Sequence, residues 1–457
     1  MRNTGMTIKV WLFLLAMLGN GLLVKAQTVP ATRQYANSKA AIVMVRTEML
    51  AEVNVPRINI NNKAFNQLLD SIHDLEVDSI FLSPSQKLDI VLNAFNENPR
   101  RYFVTAFNYF RHRERVAANG TGFIVSGNGY VITNCHVVDE GDAALRRRFI
   151  LSAFNLITET NIAAIEQSWA LQFNDQQRAL LNRTFANVFY QVVPIELEKL
   201  EKKIFVLVNK EGSNGKAYTA SFPAFIVNKG NSMPGKDVAL LRIYSPVELP
   251  VLSLSKLNEV AVGEEVLVFG YPSPVATNEF LSNETVAVPT LTKGIVSALK
   301  KSVNGWPVIQ MDANINHGNS GGPVCNRKGA VIGITTFGSW DDIAKGLAPG
   351  LNFAIPVGVI REFVPDSLTL GKSGVSELFS RAYAFYEKGY YKKALNGFTQ
   401  LKKMNTDYPG LSYLISNSQA GIDEGRDQEP GSFIIMLAGL GVLGLFFLLA
   451  YYKFRKG

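Results

Sequence analysis

Ser320 lies in the run Gly318-Asn319-Ser320-Gly321-Gly322-Pro323. A serine hydroxyl is a weak nucleophile until a base takes its proton. Glycines on both sides let the backbone turn tightly and aim N–H groups at an attacked carbonyl. Such donors stabilise the oxyanion of a tetrahedral intermediate, each by roughly 3 kcal/mol. Taken alone, the run fits a glycine-rich turn with an exposed serine equally well. A base is available in Thr133-Asn134-Cys135-His136-Val137-Val138. The chain has four histidines: His73, His112, His136 and His317. His136 closes an apolar strand, a place where an imidazole can be held still. An acid is available in Lys236-Asp237-Val238-Ala239-Leu240-Leu241, where Asp237 opens an apolar strand. A buried carboxylate there would hold one imidazole tautomer and stabilise its charged form.

These residues must be carried by short strands. Ala40–Arg46 and the two runs around Gly127-Asn128-Gly129 are β-branched and apolar. After Lys203 the strands resume as IFVLV, DVALLRIY, EEVLVFG, KGIVSAL, VIGITTF and LNFAIPV, ending near 360. Two stretches differ in texture. Within 50–118, Phe65, Leu68, Leu69, Ile72 and Leu75 recur at helical spacing, as do Leu88, Val91, Leu92 and Phe95. Within 139–202, Ile162, Ile165 and Trp169 share one face, and Leu181, Phe185, Val188, Phe189 and Val192 share another. The expected fold class is therefore mainly β: one barrel- or sandwich-forming domain interrupted by helical insertions over about 50–118 and 139–202.

The order His136, Asp237, Ser320 is that of chymotrypsin-type enzymes and of neither subtilisins nor α/β-hydrolases. The chain resembles trypsin-like serine proteases of the HtrA/Deg branch. The resemblance rests on GTGFIVSGNGYVITNCHVV (120–138), KDVALLRI (236–243), GEEVLVFGYP (263–272), TKGIVSA (292–298), QMDANINHGNSGGPV (310–324), GAVIGITTF (329–337) and GLNFAIPV (350–357). It implies two six-stranded antiparallel β-barrels over 38–362 with the cleft between them. By motif it makes Ser320 the nucleophile, His136 the general base and Asp237 the orienting acid. The backbone N–H groups of Gly318 and Ser320 would form the oxyanion hole. The substrates would be polypeptides, including unfolded envelope proteins, and relatives form homo-oligomers. Asp312 would be a structural acid. Asn314 stands six residues before the nucleophile, which argues against cleavage after Lys or Arg; the resemblance favours small or medium apolar residues. Cys135 and Cys325 could pair in an oxidising compartment, but they match none of the family's usual disulfide positions and read rather as small buried residues. His317 reads as a turn residue.

Neither insertion carries a chemical motif; their positions around the segment ending in His136 suggest that they restrict access to the cleft. No PDZ domain is legible after the last strand. Residues 375–425 contain RAYAFYEKGYYKKALNGFTQL (381–401), which resembles one tetratricopeptide repeat and equally fits a plain helical hairpin serving as a stalk. Such a unit would pack on the protease or on a partner.

Both ends suggest membranes. Residues 1–26 read as a signal peptide, with Arg2 and Lys9 before the apolar run Val10–Leu23 and Val24-Lys25-Ala26 at the cleavage site. Ser432–Tyr452 is an uncharged run whose length, at ~1.5 Å per residue, matches the bilayer core. Lys453, Arg455 and Lys456 then place the tail 453–457 in the cytoplasm. The expected layout is an extracytoplasmic body on one transmembrane helix. The formal charge of +8 agrees: without the six bases of these two ends, 40 basic face 38 acidic residues. No basic stripe points to nucleic acid. No metal or cofactor motif is present, and two cysteines exclude a disulfide-stapled scaffold. The expected function is a membrane-anchored serine endopeptidase of envelope protein quality control or regulated proteolysis. The alternative is a latent protease-fold scaffold acting through its insertions and its repeat-like hairpin.

Overall fold

The computed structural model describes residues 29–457 except 78–80, 192–195, 257–259, 274–287, 342–345, 405–406, 429–440, 442–443, 447–450 and 452–457. The signal-peptide reading of 1–26 lies outside the described residues.

The first barrel consists of β1 (Ile42–Ile60), β2 (Phe103–Ser126), β3 (Tyr130–Thr133), β4 (Glu196–Glu211), β5 (Ala217–Lys229) and β6 (Ala239–Ile243), closed in the order β1-β2-β3-β6-β5-β4. The second consists of β7 (Glu265–Gly270), β8 (Thr290–Lys301), β9 (Pro307–Met311), β10 (Pro323–Cys325), β11 (Val331–Asp341) and β12 (Gly346–Pro356), closed as β10-β11-β12-β9-β8-β7. Strand runs such as Ala41–Val45 and Val238–Leu241 are apolar at every position because both faces are buried. Val43, Val45, Ile124, Val131 and Leu241 fill the first barrel. Their neighbours Ile42, Phe123, Ile132 and Leu240 pack with Leu267, Phe269 and Ile334 of the second. The two barrels are thus joined by a continuous core, and residues at their junction are held from both sides.

The helices expected in the insertions are present as α2 (Asn62–Val77), α3 (Pro84–Glu97) and the short α4 (Pro99–Tyr102), then α6 (Asp142–Trp169) and α7 (Asp175–Gln191). Ser83 and Gln86 form a capping box at the start of α3. The insertions are less helical than expected. β1 continues to Ile60, β2 begins at Phe103, and the two pair from Ile60↔Phe103 back to the barrel. β4 begins at Glu196 and pairs with β1 from Asn54. A three-stranded ribbon therefore extends out of the first barrel. Its period-two residues Met49, Ala51, Val53 and Val55 are buried against Leu92 and Phe95 of α3, Phe149 and Ile157 of α6 and Phe185 of α7. The two insertions, far apart in sequence, share one core.

The repeat-like segment is three helices, α9 (Gly374–Glu387), α10 (Tyr391–Lys403) and α11 (Leu411–Asp423), preceded by the short α8 (Val357–Arg361). Phe379, Phe398 and Tyr408 form its core, with the Phe379 and Tyr408 rings stacked at 4.1 Å. Gly397 lets α9 and α10 touch: a Cβ there would lie 2.7 Å from that of Ala382. The N-terminal α1 (Ala31–Ser38) closes the same core through Ala36, and Ala40 follows it. α1 also reaches the second barrel through Tyr35, whose ring stacks on Phe269. Glu211 at the end of β4 accepts hydrogen bonds from Gly410 N (2.6 Å) and Ser412 N (2.8 Å), fixing the start of α11 to the first barrel.

The transmembrane helix expected over Ser432–Tyr452 is not supported, and the fold class is corrected accordingly. Among the described residues no helix is long and apolar enough to cross a membrane. Crossing takes about 20 consecutive helical residues. The described part of that run is 441, 444–446 and 451.

Candidate active site

The chain places His136, Asp237 and Ser320 at the junction of the barrels. β3 ends at Thr133, and Asn134 starts the single turn α5 (Cys135–Val138) that carries His136. Asp237 precedes β6 and is fully buried. Its carboxylate accepts from His136 N at 2.8 Å and from His136 Nδ1 at 2.6 Å. Thr336 Oγ1 donates to it at 3.0 Å. The backbone is tied as well, since Asn134 Nδ2 donates to Asp237 O at 2.7 Å. A buried carboxylate that only accepts hydrogen bonds puts the ring hydrogen on Nδ1 and leaves Nε2 as the basic nitrogen. The His136 side chain is 37% exposed, so that nitrogen is reachable.

Ser320 lies between β9 and β10. Gly318 has φ +95° and Gly321 has φ +84°. A Cβ on Gly318 would come within 2.3 Å of Tyr271 O, and one on Gly321 within 2.2 Å of Thr121 O. Neither position admits a side chain, for conformation and for space. Thr121 holds this loop: its Oγ1 donates to Gly318 O (2.7 Å) and accepts from Tyr271 N (3.0 Å), and its N–H donates to Ser320 O (2.8 Å). His317 O accepts from Ser273 N at 2.6 Å. In a trans peptide the next N–H points the opposite way, so Gly318 N–H is turned away from Ser273. Among the described residues the N–H groups of Gly318 and Ser320 donate to no acceptor of the chain.

Asp237 and His136 are directly bonded, whereas Ser320 is not bonded to His136 among the described residues. The Ser320 hydroxyl donates to the carbonyl oxygen of Thr336 at 3.2 Å. Both His136 and Ser320 line a cleft of about 550 Å³. Its other walls are Ala117–Asn119 of β2, Ser273 and His317, and Glu140, Gly141, Ala144 and Arg148 at the start of α6. Arg148 bonds Glu140 at two points, 2.8 and 3.0 Å. The second insertion therefore forms one wall of the cleft.

The remaining candidates fall where their surroundings predict. Asp312 Oδ1 accepts from Ile295 N at 2.6 Å, a backbone clamp on β8. Asn314 is exposed. His317 is exposed on the cleft rim. Cys135 and Cys325 are both free and buried. Burial first, then the Asp237 charge, pushes the Cys135 thiol up, and burial pushes Cys325 up to about 12. Neither is an activated thiol. Sequence reasoning missed Thr121, Ser273 and Thr336. Thr121 and Thr336 lay inside recognised motifs, but nothing in their spacing indicated that each bonds two parts of the site.

Residues 120–334 match the trypsin-like peptidase domain family. Rat serine protease HTR4 is 31% identical over 206 residues, 42% of this chain and 38% of that protein. Zebrafish serine protease HTRA1A is 28% identical over 265 residues, 56% of this chain and 36% of its own length. Xenopus tropicalis serine protease HTRA1 is 28% identical over 343 residues, 73% of this chain and 54% of that protein. The chain thus spans from about a third to about half of the length of these relatives. Among solved structures, the HtrA-type protease AlgW with a decapeptide is 19% identical at a TM-score of 0.36, covering 73% of this chain and 66% of its own. The peptidase-domain match and the HtrA-type relatives support the expected enzyme class, a serine endopeptidase.

Proposed function

We propose that the protein hydrolyses polypeptides through an acyl-enzyme formed on Ser320. The observation that carries this reading is the 2.6 Å contact of His136 Nδ1 with buried Asp237, one cleft wall away from Ser320. A substrate carbonyl enters the cleft, and the Ser320 hydroxyl exchanges the Thr336 carbonyl for His136 Nε2. His136 takes the proton as Oγ attacks. Asp237 stays ionised and stabilises the imidazolium. The carbonyl oxygen becomes an oxyanion facing the N–H groups of Gly318 and Ser320. The carbon–nitrogen bond then breaks, His136 gives its proton to the leaving amine, and water repeats the sequence to release the acid. With Asn314 six residues before Ser320 and no acid in its place, the residue before the cut is small or medium and apolar. The leader-like segment 1–26 supports action outside the cytoplasm, and the likeness to HtrA-type proteases supports polypeptide substrates there, unfolded envelope proteins among them.

One observation favours a second reading. With its hydroxyl on Thr336, Ser320 is at rest away from its base, as in a latent enzyme or a scaffold. Fluorophosphonate labelling of the full chain beside Ser320→Ala separates the readings. The probe reacts only with a serine whose base and oxyanion donors are assembled. Removing a nucleophilic serine costs about a million-fold in turnover, so labelling confined to the parent protein supports the protease. No labelling of either protein overturns it in favour of the latent form.

A further inference from the structure

We propose that the outer edge of β2 is a docking strand for the part of the substrate downstream of the cut, and that Arg111, Arg113 and Arg115 select acidic residues there. This rests on the protease reading and names its substrate class. β2 pairs with β1 from Phe103 to Phe123 and with β3 only from Phe123 onward. Among the described residues no strand lies on its other edge from 103 to 119. An unpaired edge offers backbone donors and acceptors to any extended chain.

That edge runs into the cleft. Ala117, Ala118 and Asn119 form its wall together with His136 and Ser320, while Thr336 of β11 does not contribute. The leaving amine takes its proton from His136, so the downstream half of the substrate departs past this wall. From Asn119 outward, alternate residues share a face. Arg111, Arg113, Arg115, Ala117 and Asn119 are all exposed. Their neighbours turn the other way: Val116 is buried in the helical lobe, and Glu114 bonds Ser152 and His112. Successive side chains on one face stand about 6.8 Å apart, and Arg111 to Asn119 spans about 27 Å. An extended substrate with acids at alternate positions matches this row.

The arginines are available for such a partner. Arg113 reaches Glu201 only at 3.7 Å, with both side chains largely exposed. Among the described residues Arg111 and Arg115 form no ion pair. Glu52, opposite Arg113 on β1, is hydrogen-bonded to Lys199, and the Arg111 and Arg113 charges act on it only as smaller, through-space contributions. A second copy is the wrong occupant, because symmetric antiparallel pairing about Arg113 would set arginine against arginine.

The test uses the full chain and quenched peptides randomised upstream of one cut, with either Glu or Lys at alternate positions in the eight downstream residues. The expected result is an about tenfold preference in kcat/KM for the Glu peptides at low salt, since each exposed pair contributes little, falling toward parity at high salt. Arg111→Glu, Arg113→Glu and Arg115→Glu together should invert it. N-methylation of the downstream Glu segment should abolish it. Equal cleavage of both peptides, a preference kept by the triple variant, or indifference to N-methylation overturns the proposal. If nothing is cleaved, the protease reading fails separately. Anisotropy with Ser320→Ala and the same peptides then still decides this one: tighter binding of the Glu peptides supports it, and equal binding overturns it.

Discussion

Ser320 donates its hydroxyl to the carbonyl of Thr336 at 3.2 Å, and the Thr336 hydroxyl donates to Asp237 at 3.0 Å. One residue of β11 thus holds the proposed nucleophile with its backbone and the proposed acid with its side chain. A change to Val keeps the first contact and removes the second. Hydrogen bonds to charged groups contribute about 1.5–3 kcal/mol. Thr336→Val should therefore slow fluorophosphonate labelling about tenfold or more while Ser320 stays reactive. An unchanged labelling rate would show that His136 and Asn134 position Asp237 without Thr336.

Cys325 makes the fold sensitive to alkali. Burial raises its thiol from an ordinary value near 9 to about 12. Below about 9 both folded and unfolded chains keep the proton, and the stability is fully present. Between about 9 and 12 the unfolded chain releases a proton that the folded chain retains, so stability falls by about 1.4 kcal/mol per pH unit. Tyr271 and Tyr408 are raised by burial too and act in the same direction. Cys325→Ala removes only the thiol share. Denaturant unfolding at pH 8 and pH 11 should show a smaller fall for the variant than for the parent; equal falls would rule the thiol out.

Glu211 ties the C-terminal helices to the first barrel by accepting from two N–H groups at the start of α11. A carboxylate at a helix N-terminus adds a favourable charge–dipole interaction of up to about 2 kcal/mol when partly buried. Burial lowers the Lys39 amine, and the Glu211 charge partly offsets this. Glu211→Gln keeps the shape and loses the charge. Amide exchange in Leu411–Asp423 should become about tenfold faster, with barrel amides unaffected. Unchanged exchange in α11 would mean that the core around Phe379, Phe398 and Tyr408 alone fixes these helices.

Much of the candidate site was legible along the chain. Ser320, His136 and Asp237 each sit in short runs whose glycines or apolar neighbours are local consequences of the proposed role. The strands around them were legible for the same reason, because alternation and β-branching are local. The ribbon was not: Met49–Val55 alternates only because helices from two distant insertions cover one of its faces. Thr121 and Thr336 were silent because a threonine that bonds a loop looks like any strand threonine until the loop is in place.

The sequence by itself determined the barrel strands, the insertion helices, the order of His136, Asp237 and Ser320 and the turns that only glycine can make, since these depend on backbone sterics and near neighbours. Tertiary structure decided the rest: that α1 seals a core built nearly 350 residues later, that two insertions make one lobe beside the cleft, and that Ser320 rests on Thr336. Those outcomes depend on which apolar faces meet and which buried polar groups find partners, and no local pattern encodes either.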